Sequence, residues 1–326
     1  MIPHCKPFLA PNQKRYVLDA MRRGELMRGY YVDRLEATMS ELCGGYAVAV
    51  SSGTAGLFLA LKPWNYGPLW MPALTYIGPA QALCLHGIPP LFVDIEPKTW
   101  GSAWPESVIQ VHLYGAIAPG WAPIEDACEA LGAWKLTGDV GIVSFNQNKI
   151  ATGGGGGAVI YRDQDEADAT RHAIRGGRVP GAAHLWDVIG WPFEMSNLQA
   201  AVACAQLDVL KETIERKQAI AARYRAALPE IAWHESVTYW QPCGLLPVPA
   251  APVVAFCQAN GVDARHVWPC LADLPLFKDC PTDGNLPVAR RVARHGISLP
   301  CSVDLTPNQQ AHVIATVRRA LGAEHL

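Results

Sequence analysis

One lysine, Lys149, stands between two apolar runs in the stretch GDVGIVSFNQNKIATGGGGGAVIY, residues 138–161. Residues 140–145 read as a buried strand, and a polar turn then carries the lysine. Five consecutive glycines occupy 153–157, and a second apolar run covers 158–161. A glycine run is costly in backbone entropy, so it must adopt a conformation, or permit an approach, that side chains would block. An amine held between two buried strands loses hydration, which lowers its pKa and suits it to Schiff-base chemistry. A surface loop with a solvated lysine is the alternative these residues leave open.

Other positions bear on that choice. Residues 46–61, YAVAVSSGTAGLFLAL, read as an apolar strand, a Ser-Ser-Gly-Thr turn and an apolar helix starting near Thr54. N–H groups at such a helix start form an anion site, although simple capping by Ser52 or Thr54 explains the same residues. Tyr76 follows a short strand at 69–72, and a strand at 123–126 delivers Glu125 and Asp126. A phosphate suits the turn, a flat ring suits the tyrosine, a ring nitrogen suits the carboxylate, and an aldehyde suits the lysine. Pyridoxal phosphate requires that set, with the acid keeping the pyridine nitrogen protonated so that the ring withdraws electrons. Singly, Tyr76 could be core and Asp126 could cap a helix at the favourable end of its dipole.

Strands and helices in alternation must position these groups. Helices are expected at 11–24, 31–42, up to residue 85, and at 127–131, with strands at 90–95 and 108–113. Such alternation means an α/β layer with a largely parallel sheet, whose sites lie beyond the carboxyl ends of the strands. Thr54, Tyr76, Asp126 and Lys149 all fall there. Beyond the glycines, Ser196 caps a long helical stretch running to residue 228. It is apolar up to Leu210 and amphipathic afterwards, as for a helix leaving one domain to begin another. Strand-like pieces at 237–248 and helices at 252–260 and 306–321 complete a smaller unit, so the domains are expected at 1–210 and 211–326.

Composition narrows the function classes. A length of 326 residues suggests one large domain and a smaller one. Only 17% of residues are charged, against about 25% in average soluble proteins, which favours an obligate oligomer. A net charge of −2 argues against electrostatic nucleic-acid binding. No apolar run reaches the ~18 residues of a membrane span, and MIPHCKPF does not read as a signal peptide. Ten scattered cysteines without a C-x-x-C pair speak for reduced, cytoplasmic thiols rather than zinc or disulfides, and no metal is expected.

The segments IPHCKPFL, GELMRGYYVDRLE, SSGTAGLFLAL, MPALTYIGPAQA, PPLFVDIEP, VHLYGAIAP, IEDACEALGA, GDVGIVSFNQNKIATGGGGG, EMSNLQAAVACAQL and ISLPCSVDLTPNQ follow one another along nearly the whole chain. In that order they resemble the DegT/DnrJ/EryC1/StrS sugar aminotransferases, pyridoxal-phosphate enzymes of the aspartate aminotransferase (type I) fold. The resemblance implies a large α/β domain with a mostly parallel mixed sheet and a smaller C-terminal α+β domain. It implies Lys149 as the Schiff-base lysine, Asp126 at the pyridine nitrogen and Tyr76 stacked on the ring. Gly53, Thr54, the Ala55 backbone and Ser144 fall at the phosphate, and Glu129 near the phenolic oxygen. The retained lysine disfavours the related sugar dehydratases, in which histidine replaces it.

The resemblance also implies a homodimer with shared sites. It implies L-glutamate as the usual amine source and a keto group on a nucleotide-linked sugar as acceptor. A cyclitol or other non-nucleotide ketone, or a regulatory cofactor-binding protein without turnover, are the alternatives. A nucleotide needs cationic and aromatic contacts, for which Arg28, Tyr30, Tyr31, Arg175, Arg178, Trp186 and Trp191 are candidates. The chain departs from the family pattern in four places. Pro192 stands where an asparagine reaches the partner's phosphate, Glu194 replaces an arginine, Gly155 a glutamate, and Ala272 a histidine. The segment at 244–252 is also shortened.

Overall fold

The computed structural model describes residues 1–61, 68–104 and 106–323. Helices α1 (Gln13–Arg23) and α2 (Tyr30–Cys43) both stop at glycines, Gly24 and Gly44. Their φ values of 71° and 80° lie in the left-handed region where a Cβ would be strained. There follow β1 (Tyr46–Val50), α3 (Gly53–Ala60), β2 (Leu69–Pro72), α4 (Gly78–Leu85), β3 (Pro90–Val93), β4 (Ile109–Val111), β5 (Ile124–Asp126), β6 (Val140–Ser144) and β7 (Gly157–Tyr161). Then come α5 (Gln164–Ile174), α6 (Asn197–Leu207), α7 (Leu210–Ala227), β8 (Ala232–Trp233), β9 (Cys243–Leu245), α8 (Ala250–Ala259), β10 (Arg265–His266), α9 (Pro287–His295), β11 (Gly296–Ser298) and α10 (Pro307–Ala323).

The central sheet has the order β1-β7-β6-β5-β4. Strands β4, β5 and β6 are parallel, whereas β7 is antiparallel to both its neighbours and is the one reversed member. The parallel pair β2–β3 continues the layer, since Val108 N–H, just before β4, donates to Trp70 O at 3.1 Å. Strands β6 and β7 are buried along their whole length, as expected of strands covered on both faces. The expected mixed, mostly parallel sheet of the type I fold is present. Its carboxyl edge carries the turns after β1, β2, β5 and β6.

A second, antiparallel sheet, β10-β11-β9-β8, lies in the C-terminal part. Tyr224, Val253, Cys257, Ile297, Val313 and Val317 form an apolar core there, separate from that of the central sheet. Helix α7 begins at Leu210. Among the described residues no helix is long and apolar enough to cross a membrane.

Local chemistry overrides several sequence expectations. No helix forms at 127–131. Asp126 Oδ1 accepts the Cys128 N–H at 3.0 Å, and Ala127 N–H still bonds Ile142 O at 2.9 Å, so the strand ladder runs into turns instead. The stretch 196–228 is two helices, broken at Asp208 and Val209. Only β9 survives of the strand-like stretch 237–248. Helices α5 and α9 were not expected. Asp163 caps α5 by accepting the N–H groups of Asp165 and Glu166, and Pro287 opens α9 at the position where its missing N–H costs nothing.

Candidate active site

The glycine run is the structural counterpart of the Lys149 turn. Phe145 N–H donates to Gly156 O, Gly153 N–H donates back to Phe145 O, both at 2.9 Å, and Gly156 N–H reaches Ser51 O at 3.1 Å. Backbone thus lies directly on backbone between the ends of β1 and β6. A Cβ on Gly157 would sit 2.7 Å from Val143 O, and Gly156 has φ 101°. Side chains are excluded there by contact rather than by a need for flexibility. The turn so closed fixes Lys149, whose side chain is 10% exposed, with Nζ 3.3 Å from Glu129 Oε1 and 4.2 Å from the Trp240 ring centroid. The surface-loop alternative is excluded.

Strand alternation separates the two acids of β5. Glu125 points away from Lys149 and accepts hydrogen bonds from His112 Nε2, Trp134 Nε1, the Thr137 N–H and hydroxyl, and Gly138 N–H, at 2.7–3.3 Å. Burial alone would raise its pKa, but these donors, His112 first, outweigh it and hold the carboxyl at about 2. It is a satisfied structural charge. Asp126 is buried too, takes the Cys128 N–H on Oδ1, and faces the cavity that holds Lys149.

Glu129, from the turn after β5, binds Lys149 and the Trp268 indole N–H (3.2 Å) through Oε1, and the Tyr114 N–H (2.9 Å) through Oε2. Burial pushes its pKa up, with the Lys149 charge pulling the other way. Tyr114 holds φ 52°, an uncommon conformation for a bulky residue. Its backbone serves Glu129 and its hydroxyl accepts the Trp268 N–H at 3.0 Å.

The N-terminus of α3 closes the opposite side. Ser52, not Thr54, is the cap, its Oγ accepting the Ala55 N–H at 3.0 Å. The Ala55 N–H, expected at the phosphate, is held by Ser52 in this structure, and Ala55 is not among the residues lining the cavity. Gly53 must be glycine, since a Cβ would come within 2.9 Å of Cys128 Sγ. The half-exposed Tyr76 ring lies 5.2 Å from that of Trp268. One cavity of about 280 Å³ therefore gathers Gly53, Thr54, Tyr76, Asp126, Glu129, Ser144 and Lys149, joined by Trp268.

The other candidates lie elsewhere in the protomer. Arg28 and Arg178 line a separate cavity of about 750 Å³ with Arg171 and Arg175. Arg28 is engaged by Glu194 through two bonds of 2.6 and 2.8 Å, and Arg178 donates to the carbonyls of Ala182 and Ala183. Tyr30 is exposed, its ring 4.9 Å from the Arg23 guanidinium carbon. Tyr31 is core, not a surface contact, and Trp191 packs edge-on against Phe58. Trp240, Trp268 and Tyr114 escaped the sequence reading. Trp240 and Trp268 lie more than ninety residues beyond Lys149, Tyr114 sits in VHLYGAIAP with no role assigned to it, and only the tertiary fold brings the three together there.

The donor set fits pyridoxal phosphate: an open carboxylate, a primary amine, an exposed ring, and a helix N-terminus beside a glycine too confined for a Cβ. A sheet of this topology with its lysine beyond β6 defines a type I pyridoxal-phosphate enzyme. A model of the DegT/DnrJ/EryC1/StrS aminotransferase family matches residues 8–318, and the chain belongs to that family of pyridoxal-phosphate-dependent aminotransferases. It is similar to EpsN of Bacillus subtilis (strain 168), named as a candidate pyridoxal phosphate-dependent aminotransferase, with 29% identity over 95% of each chain. It is also similar to the GDP-perosamine synthase of Caulobacter vibrioides, with 28% identity over 97% of each. The structure of the aminotransferase TlmJ from Streptoalloteichus hindustanus superposes with a TM-score of 0.89 over the whole of both chains, at 23% identity.

Proposed function

We propose that this chain moves an amino group from L-glutamate to a keto group of a nucleotide-linked sugar, with residues 1–210 as the cofactor-binding domain and 211–326 as the smaller one. The observation that carries the reading is the cavity in which Lys149 Nζ, Asp126 and the start of α3 converge. The GDP-perosamine synthase relative supports a sugar nucleotide as acceptor.

When bound, pyridoxal phosphate supplies an aldehyde carbon and an electron-withdrawing ring. Thr54, Ser144 and the N–H groups at the start of α3 bind its phosphate, helped by the helix dipole. Asp126 holds the proton on the ring nitrogen, and its burial strengthens that ion pair. Lys149 Nζ would hold the aldehyde carbon of the group and, as a free amine, would take up and return a proton. Glu129 and Trp240 keep Nζ in place. Tyr76 and Trp268 border the open side and limit water.

We propose further that the active protein is a homodimer in which the partner's arginine-lined cavity completes the acceptor site. The supports are that Arg28 and Arg178 line a cavity separate from that of Lys149, and that the apolar side chains Leu18, Met21, Leu26, Met27, Leu185 and Ile189 are exposed. A second reading, a cyclitol or other non-nucleotide ketone as acceptor, is favoured by one observation. Glu194 neutralises Arg28 and approaches Arg175 at 3.5 Å, so two cations that could meet a diphosphate are engaged.

The test is to load the enzyme with amine from L-glutamate, remove 2-oxoglutarate, and add acceptors while following the cofactor absorbance. Discharge by keto-sugar nucleotides and not by free ketones supports the first reading. Equal discharge by cyclitol ketones replaces it with the second.

A further inference from the structure

Next to the Lys149 turn and Trp240 lies a cluster that the aminotransferase reading does not use. Lys217 of α7 is 2% exposed. Its Nζ donates to Trp240 O (3.0 Å), Cys301 O (3.1 Å) and Cys301 Sγ (3.6 Å), and among the described residues no carboxylate lies within ion-pair reach. A buried ammonium without a counter-ion is costly. The Cys301 thiol also donates to Trp240 O at 3.4 Å, and the Cys5 thiol adjoins it. Their segments are pinned side by side, since Cys301 N–H donates to His4 O at 2.8 Å. Cys5, half-buried, also lies 3.6 Å from Asn148 O, the carbonyl preceding Lys149.

We propose that Cys5 and Cys301 form a peroxide-oxidisable thiol pair, with Lys217 as the buried cation that keeps one proton off the two sulfurs. The missing counter-ion of Lys217 is then the shared thiolate. The adjoining Cys301 thiol brings Cys5 down to about 6, reinforced by Lys217, Arg265 and Lys149 against the effect of burial, and Cys301 is pushed up correspondingly. Lys217 stays high because, although burial lowers it, the two sulfurs raise it. The remaining titratable neighbours do not supply the charge. Burial keeps His4 neutral, lowered to about 3; Asp263 is tied to Arg265; and the Tyr224 hydroxyl donates to Pro300 O.

The chemistry balances with a hydroperoxide as oxidant. The thiolate of Cys5 attacks the peroxide, an S–O bond forms, the O–O bond breaks, and hydroxide leaves. The sulfur loses two electrons and the peroxide gains them. The Cys301 sulfur then attacks the sulfenic sulfur, the S–S bond forms, and the S–O oxygen leaves as water. A dithiol reverses the change. The disulfide would strip Lys217 of its counter-ion directly behind Trp240, whose ring faces Lys149.

The test treats the full-length protein with hydrogen peroxide and maps peptides without reduction. The expected result is a link between the peptides containing Cys5 and Cys301, two hydrogens lighter, cleaved by dithiothreitol. Alkylation of Cys5 in the untreated protein should rise with pH about a midpoint near 6, and Lys217→Met should move that midpoint upward. If that variant does not fold, mapping of the unaltered protein still decides. Both cysteines remaining as thiols while the exposed Cys84 oxidises, or Cys5 oxidising without linkage to Cys301, overturns the proposal. So does a Cys5 midpoint at the ordinary value of about 8.5.

Discussion

Lys149 Nζ and Glu129 Oε1 are 3.3 Å apart in a site where both side chains are almost wholly buried. The carboxylate fixes where Nζ points, sharing Oε1 with the Trp268 indole N–H. Glu129→Gln keeps the shape of the side chain but replaces a charge-assisted hydrogen bond by a neutral one, a loss of about 1.4 kcal/mol. Cofactor attachment to the apo-protein at fixed pH should then slow about tenfold. An unchanged attachment rate would show that Glu129 does not position the amine.

Asp126 has a different task, and its loss should read differently. Asp126→Asn keeps the size of the side chain and the acceptor for Cys128 N–H, so cofactor binding should persist. Turnover should fall at least tenfold, because a charge-assisted hydrogen bond contributes about 1.5–3 kcal/mol and about 1.4 kcal/mol is a factor of ten. Near-normal turnover by the folded variant would remove Asp126 from the chemistry.

Glu125, its neighbour on the opposite face, makes a pH prediction. Its folded pKa, about 2, lies below the ~4.3 of an unfolded glutamate. A depressed carboxyl contributes stability that is fully present above the unfolded value and is lost as pH falls through the folded one. Its contribution near neutrality is roughly 3 kcal/mol. Glu125→Gln should lower the urea midpoint strongly at pH 7, and the gap to the unaltered protein should narrow by pH 3. A gap that is constant with pH would mean that packing, not charge, is at stake.

The shared site can be tested by mixing inactive proteins. Lys149→Ala and Arg178→Ala homodimers should each be impaired in acceptor turnover. Random re-association gives hybrids with one complete site, restoring about a quarter of the original activity if both groups act across the interface. No recovery, with hybrids demonstrated by mass, would show that Arg178 does not act across the interface.

The sequence discloses the site unevenly. Lys149, Asp126 and Thr54 were legible because strand-to-helix turns leave local marks: small residues, a glycine run, an acid at a strand end. Which hydroxyl caps α3 was not legible, because Ser52 and Thr54 compete for one cap, and only the geometry shows that Ser52 takes it. The absent helix at 127–131 depended on one side chain, Asp126, bonding its own backbone two residues on. The aromatic wall of Tyr114, Trp240 and Trp268 left no mark, because nothing in local spacing says which distant aromatic packs on which loop. The sheet was read well for a related reason. Residues 140–145 and 158–161 are apolar apart from Ser144, as suits buried strands, whereas the strands of the small sheet are two or three residues long and too brief to show a period.

The most direct measurement is reductive trapping. Borohydride added to the yellow holoenzyme fixes the cofactor to the amine that holds it, and peptide mapping identifies the residue. The label should fall on the peptide containing Lys149, with none on Lys217, the other buried lysine, whose Nζ points into the thiol cluster. Label on Lys217 or any other lysine, with Lys149 unmodified, would contradict the assignment of the cavity as the active site.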